Sequence, residues 1–187
     1  MTARLDELRT DRLLLRHWRE SDREPFAALN ADPAVMRYFP ATRDRAASDA
    51  FIDRRQAQLE RDGWGLWATE LLATGELIGF VGLNAVAVGE LPPGPCTEVG
   101  WRLAAHTWGH GYAPEAGRAA LDVAFAQLRL PEVVSFTTRA NAPSRRVMEK
   151  LGLRHDPSRD FRHPALPDRD GHPHVLYAVT AEQWSLR

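Results

Sequence analysis

The chain has 187 residues, 44% of them hydrophobic and 26% charged, with 24 basic against 25 acidic side chains and a net charge of −1. This profile excludes a disordered tail, a collagen-like rod and a disulfide scaffold, and it offers no global electrostatic footprint for nucleic acid or an anionic membrane. The one cysteine, Cys96, cannot form an internal disulfide, and the charged N-terminus lacks the apolar core of a signal peptide. A cytoplasmic protein with one domain over 1–187 is expected.

Leu13-Leu14-Leu15, framed by Arg12 and Arg16, reads as a first strand. Ser21-Asp22 reads as the cap of a helix that runs through Phe26 and Leu29 and breaks at Asp32-Pro33. A second helix is expected over 47–61, stopped by Gly63. Apolar runs at 66–69 and 77–83, separated by Thr74-Gly75-Glu76, form a hairpin pattern. A Pro- and Gly-rich loop follows, then a strand over 97–103.

The clearest helix lies over 114–128, where Leu121, Ala124, Phe125 and Leu128 fall at i, i+3, i+4 and i+7. Pro114 suits its first turn, and Glu115 complements the positive end of its dipole. A strand over 133–137 comes next. Asn141 then caps a helix with Pro143 in its first turn, ending at Gly152. Leu153 starts another extended stretch, 156–173 reads as a long polar loop, and 174–179 reads as the last strand. Two early helices, an antiparallel meander and strand–helix–strand–helix–strand describe a mixed α/β domain.

The most informative stretch is 98–115, EVGWRLAAHTWGHGYAPE. A strand enters a glycine-rich turn, and the turn enters a helix. Unpaired N–H groups and the helix dipole favour an anion at such a point, and Gly109 and Gly111 allow it to approach closely. Taken alone, the turn is equally compatible with a tight connection that needs glycines for its geometry. The Gly-Lys-Ser/Thr of a P-loop is missing. Pro114 stands where a dinucleotide fingerprint needs a third small residue.

A second stretch, Asn141-Ala142-Pro143-Ser144-Arg145-Arg146-Val147-Met148-Glu149-Lys150-Leu151-Gly152-Leu153, decides the reading. Together with Trp108-Gly109-His110-Gly111-Tyr112-Ala113-Pro114-Glu115-Ala116 it resembles the GNAT superfamily of acetyl-CoA-dependent N-acetyltransferases. Within it the chain is similar to the RimJ/RimL-like branch, which includes acetyltransferases of ribosomal-protein N-termini. Leu13 to Arg16 and Asp32 to Tyr38 also match, so the resemblance covers about residues 8–184.

The resemblance implies a central, mostly antiparallel twisted sheet, flanked by helices and splayed between its fourth and fifth strands. It implies acetyl-CoA as co-substrate. The pantetheine arm would pair with the backbone of Trp101, Arg102 and Leu103. Trp108 and Gly109 would shape the cofactor turn. The amides of His110, Gly111, Tyr112 and Ala113 would hold the pyrophosphate, Asn141 would hydrogen-bond the arm, and Ser144 would lie near the sulfur.

The reaction is then attack of a neutral primary amine on a thioester, the amine belonging to a protein N-terminus or to a small molecule. Glu98, on the strand beside the cofactor, is the candidate base, working through water, and Ser144 is the candidate donor to the leaving sulfur. A non-catalytic acyl-CoA-binding or regulatory module is the alternative.

The remaining polar residues suggest less. His155, His163, His172 and His174 with Asp156, Asp160, Asp168 and Asp170 show no metal-ligand spacing, so no metal is expected. His163 and His174 stand next in line as bases. Arg145, Arg146 and Lys150 read as a solvated helix face, one of which could meet a ribose phosphate. No nucleic-acid or membrane partner is expected, and a homodimer stays open.

Overall fold

The chain opens with a hairpin that its composition does not announce. β1 (Glu7–Arg9) pairs antiparallel with β2 (Leu13–Arg16), Leu8 facing Leu15. This computed structural model describes residues 5, 7–91, 94–163 and 173–187. The chain forms two compact units, one of residues 1–82 with 100–120 and one of 83–99 with 121–187.

In the first unit, β2 continues into an antiparallel ladder with β3 (Leu66–Leu71), and β3 pairs with β4 (Leu77–Val86). The order on that side is β1-β2-β3-β4, with β5 (Cys96–Leu103) next to β4. Gly79 permits this last approach: at φ 134°, a Cβ there would lie 2.1 Å from the Arg102 carbonyl oxygen. The helices are α1 (Arg23–Ala31) and α2 (Arg45–Asp62). Asp44 caps α2 by accepting from the Ala47 amide, and Gly63 closes it at φ 75°. Leu13, Leu15, Phe26, Leu59, Trp67 and Ile78 are fully buried. Trp18, Phe26, Phe51 and Phe80 form an aromatic cluster, with neighbouring rings 4.9 to 5.3 Å apart along that order.

The expected cap at Ser21-Asp22 is not made. A 3-10 turn, Glu20–Asp22, precedes α1, and the Asp22 side chain makes no cap bond to that helix. Its carboxylate instead takes both Arg16 Nη atoms, at 2.7 and 2.9 Å, and the Arg19 amide at 2.7 Å. Arg16 is itself buried, and an unpaired charge there would cost more than a lost cap.

The second unit holds the rest of β4, the start of β5, and β6 (Glu132–Thr138), α4 (Ala142–Lys150), β7 (Arg154–His155), β8 (Phe161–Arg162), β9 (Pro173–Thr180) and α5 (Ala181–Ser185). β6 and β9 pair antiparallel from Glu132–Thr180 to Thr138–His174, and β7 and β8 both pair with β9. β5 and β6 are parallel, in register at the single pair Glu98–Val134. These two strands stand one place later in the count than expected, because β1 was not foreseen. Leu83, Leu121, Met148, Leu151 and Leu176 fill this unit's core.

The long helix α3 (Tyr112–Asp122) starts two residues before the expected Pro114 and passes into a π-helical turn, Val123–Gln127. The wider turn shifts the apolar stripe. Leu121 and Ala124 stay buried, while Phe125 and Leu128 are half-buried. The stretch expected as one loop contains a 3-10 turn, Pro157–Arg159, and β8. Its remainder, with Asp168, Asp170 and His172, lies outside the described residues. Among the described residues no helix is long and apolar enough to cross a membrane.

Candidate active site

In the first unit, β5 ends at Leu103 and the chain turns at once. The Ala104 amide donates to the Ile78 carbonyl at 2.8 Å, and a 3-10 turn, Ala105–Thr107, follows. Trp108, half exposed at 50%, donates its indole N–H to the Leu103 carbonyl at 2.9 Å. This bond ties the start of the glycine turn to the end of the strand. Gly109 and Gly111 take φ of 83° and 82°, a conformation that L side chains rarely adopt. Between them, His110 places Nδ1 3.0 Å from the Trp108 carbonyl. A carbonyl only accepts, so Nδ1 carries the proton. The imidazole stacks on Tyr112 at 5.6 Å.

The amides of Gly109, His110, Gly111, Tyr112 and Ala113 meet no backbone acceptor among the described residues, and α3 begins there. A Cβ on Gly109 would meet nothing within 4 Å, and one on Gly111 only an Arg12 Nη at 3.6 Å. Free N–H groups, the positive end of an eleven-residue helix and open space above the glycines suit a phosphate. The residues present therefore fit a CoA pyrophosphate.

Arg12 and Glu115 belong to this turn, and the sequence did not connect them. Arg12 donates from Nη1 to the His110 carbonyl at 3.0 Å and from Nε to Glu115 at 2.7 Å, and its guanidinium lies 4.7 Å from the Tyr112 ring centre. Glu115 also accepts from the Thr10 hydroxyl at 2.6 Å and the Arg12 amide at 3.0 Å. Burial alone would raise the Glu115 pKa, but these hydrogen bonds outweigh it and hold the carboxyl below its ordinary value.

In the second unit, Glu98 is half-buried on β5. Cys96, two residues earlier, has its thiol pushed up to about 11 by burial and by the Glu98 charge, the opposite of an activated nucleophile. Asn141 caps α4: its Oδ1 accepts from the Ser144 amide at 3.2 Å, and its Nδ2 donates to the Thr137 hydroxyl at 3.0 Å. One Nδ2 proton is left over. Ser144 is half-buried, and its hydroxyl makes no hydrogen bond among the described residues. Arg145 is engaged by the Tyr177 hydroxyl at 3.2 Å, which raises its pKa. His155 pairs with Asp160 at 2.9 Å. His163 lies 5.3 Å from His174, and burial lowers its pKa, so it is neutral at pH 7. Glu98, Asn141 and Ser144 thus share one unit, and Trp101 to Ala113 the other.

A family model described as an acetyltransferase (GNAT) domain matches residues 12–154. The chain belongs to the GNAT acetyltransferases. This acetyltransferase is 32% identical over 184 residues to the "FsC-acetyl coenzyme A-N(2)-transacetylase" of Aspergillus fumigatus, covering 95% of this chain and 77% of that protein. It is 30% identical to an acetyltransferase of known structure from Agrobacterium tumefaciens, with a TM-score of 0.75 and 94% of each chain covered. The fold also matches Mycobacterium smegmatis RimJ, solved in complex with CoA-disulfide, at 22% identity and a TM-score of 0.72, over 91% of this chain and 83% of that one. The GNAT acetyltransferase is therefore an acyltransferase that moves an acetyl group from acetyl-CoA to an amine, on the expected mixed α/β fold.

Proposed function

We propose that this enzyme acetylates a primary amine, at a protein N-terminus or on a small molecule, by direct attack on the acetyl-CoA thioester. The observation that supports this most is the row of free amides from Gly109 to Ala113 at the start of α3, with open space over Gly109. The amides of His110, Gly111, Tyr112 and Ala113 hold the pyrophosphate. Trp108 and Gly109 shape the turn, and Arg12 braces it through the His110 carbonyl. The backbone of Trp101, Arg102 and Leu103 offers itself to the pantetheine arm as to an added strand. The spare Nδ2 proton of Asn141 is available to the same arm.

Bound acetyl-CoA supplies the activated acyl group. The chain's own residues hold the amine near it and manage one proton. The amine nitrogen forms its bond to the acyl carbon as the carbon–sulfur bond breaks. Glu98 accepts the amine's proton through a water, and the Ser144 hydroxyl donates a hydrogen bond to the departing sulfur. An α-amine of pKa about 8 is roughly one-tenth neutral at pH 7, so a weak base suffices; a lysine amine near 10.4 is far scarcer as the neutral form. The thiolate, of pKa about 8.5, needs little acid help. We place this activity in the cytoplasm and assign it to the whole chain as one domain.

The test is direct. Purified protein, acetyl-CoA and a panel of N-terminal peptides, amino acids and small amines should release free CoA thiol with at least one amine class. Tight CoA binding with no release across the panel would leave a non-catalytic acyl-CoA-binding module instead.

A further inference from the structure

Arg16 and Arg102 are both buried, at 5% and 7% exposure, and they are satisfied in opposite ways. Arg16 has a bidentate Asp22 and a Glu70 carboxylate at 2.7 Å. Arg102 has no carboxylate among the described residues. Its Nη1 donates to the neutral Asn30 Oδ1 at 2.7 Å, and its Nε is buried without an acceptor. Phe39 and Phe80 lie against the guanidinium, at 4.3 and 5.5 Å from its carbon to the ring centres.

Arg43 brings a second cation to the same place. Its amide donates to the Asn30 carbonyl at 3.0 Å, and its guanidinium is 5.8 Å from the Phe51 ring centre. It forms no ion pair among the described residues. Burial lowers the pKa of both groups, Arg102 to about 9; beyond burial, Arg43 repels Arg102 and Arg54 repels Arg43. Arginine stays charged at neutral pH even so. Two like charges that repel each other are therefore held partly out of water, with only the neutral Asn30 Oδ1 accepting from Arg102. Such an arrangement is costly unless a negative partner completes it.

We propose that Arg102 and Arg43 receive a carboxylate carried by the acceptor substrate. A planar carboxylate matches the edge of a guanidinium, and the Arg102 Nε–H and the Arg43 fork are the donors left for it. Phe39, 40% exposed, covers the Arg102 guanidinium and is the group an entering ligand displaces. Arg102 follows Trp101 on the strand proposed to pair with the cofactor arm, so its role toward the acceptor rests on that assignment. The acceptor class is then an amine that also bears a carboxylate, such as an amino acid or an acidic peptide. Polyamines are disfavoured by like-charge repulsion.

The experiment labels the arginines with nitrogen-15 and follows their Nε–H signals, with Arg102 assigned from its loss in Arg102→Lys. Glutamate and succinate should shift the Arg102 signal saturably, while glycinamide, which has the amine but no carboxylate, and spermidine leave it in place. Arg43→Gln should weaken the carboxylate response about tenfold, a loss of one charged contact, and leave CoA affinity unchanged. If Arg43→Gln does not fold, Arg43→Lys serves, since it keeps the charge without the fork and should weaken the response in part. No shift with either carboxylate, an equal shift with glycinamide, or a shift with inorganic phosphate alone overturns the proposal. CoA titrated into the same sample separates the two readings. Carboxylate binding without CoA binding removes the cofactor assignment and keeps the anion site; CoA binding without carboxylate binding does the reverse.

Discussion

Arg12 donates one proton to the His110 carbonyl at 3.0 Å and another to Glu115 at 2.7 Å, so one side chain from the first hairpin grips both the glycine turn and the helix that follows it. The grip leaves the turn amides untouched and fixes the peptide on which they sit. Arg12→Ala should weaken CoA binding about fivefold to tenfold, the scale of a partly exposed charged hydrogen bond. Calorimetric titration of CoA measures it. An unchanged affinity in a folded variant would show that the turn holds its shape unaided.

Glu115 carries the pH dependence of that grip. Its carboxyl titrates below its ordinary value of 4.5, because the Thr10 and Arg12 hydrogen bonds outweigh the opposing effect of burial. A depressed folded pKa contributes stability that is present above the unfolded pKa and is lost as pH falls through the folded one. Denaturation midpoints from about pH 7 to about pH 3 should therefore fall less steeply for Glu115→Gln than for the unmodified chain below about pH 4.5. Parallel curves would remove the assigned pairing.

Asp22 holds the buried Arg16 at 2.7 and 2.9 Å. Asp22→Ala would strand part of that charge, although Glu70 remains. The expected loss is about 3–5 kcal/mol, or a fall in Tm of roughly 10 °C. A change under about 1 kcal/mol in a urea melt would mean that Glu70 alone satisfies Arg16.

Ser144→Ala and Glu98→Gln should separate by pH. Loss of a donor to sulfur lowers turnover by a modest, nearly pH-independent factor. Loss of the base hurts most at low pH, where the amine is protonated, and recovers toward the amine's pKa of about 8. Turnover from about pH 6 to about pH 9.5 with an identified acceptor checks both. If Glu98→Gln keeps the original profile, the neutral His163 is the next base to replace.

What was legible in the sequence was local. The glycine turn, the Asn141 cap with Pro143 behind it and the alternation of apolar runs each lie within one short stretch of sequence, where spacing alone carries chemistry. Arg12 and Glu115 stand 103 residues apart, and no period links them. Asp22 looked like a helix cap because its competing partner, Arg16, belongs to a strand. The π turn after Asp122 broke an otherwise regular stripe. One signal was present and missed: Thr180-Ala181-Glu182-Gln183 is a capping box, and it opens α5 with Thr180 and Gln183 bonded reciprocally.

Gly111 tests the space above the turn. Gly111→Val puts a branched side chain at φ 82°, where the nearest protein atom to its Cβ is 3.6 Å away. The strain should cost about 1–2 kcal/mol of stability. CoA affinity should fall much further, because the side chain occupies the space assigned to the phosphates. Circular dichroism confirms the fold before CoA is titrated. Near-native affinity in the folded variant would place the phosphates elsewhere.

The free amides from His110 to Ala113 are assigned to a CoA pyrophosphate, and amide NMR reads that contact at those atoms. With nitrogen-15-labelled protein, CoA should move the His110, Gly111, Tyr112 and Ala113 N–H signals downfield and saturably. Pantetheine, which lacks the phosphates, should leave them where they are. Saturable CoA binding with these four signals unmoved, or moved equally by pantetheine, would place the pyrophosphate away from this turn.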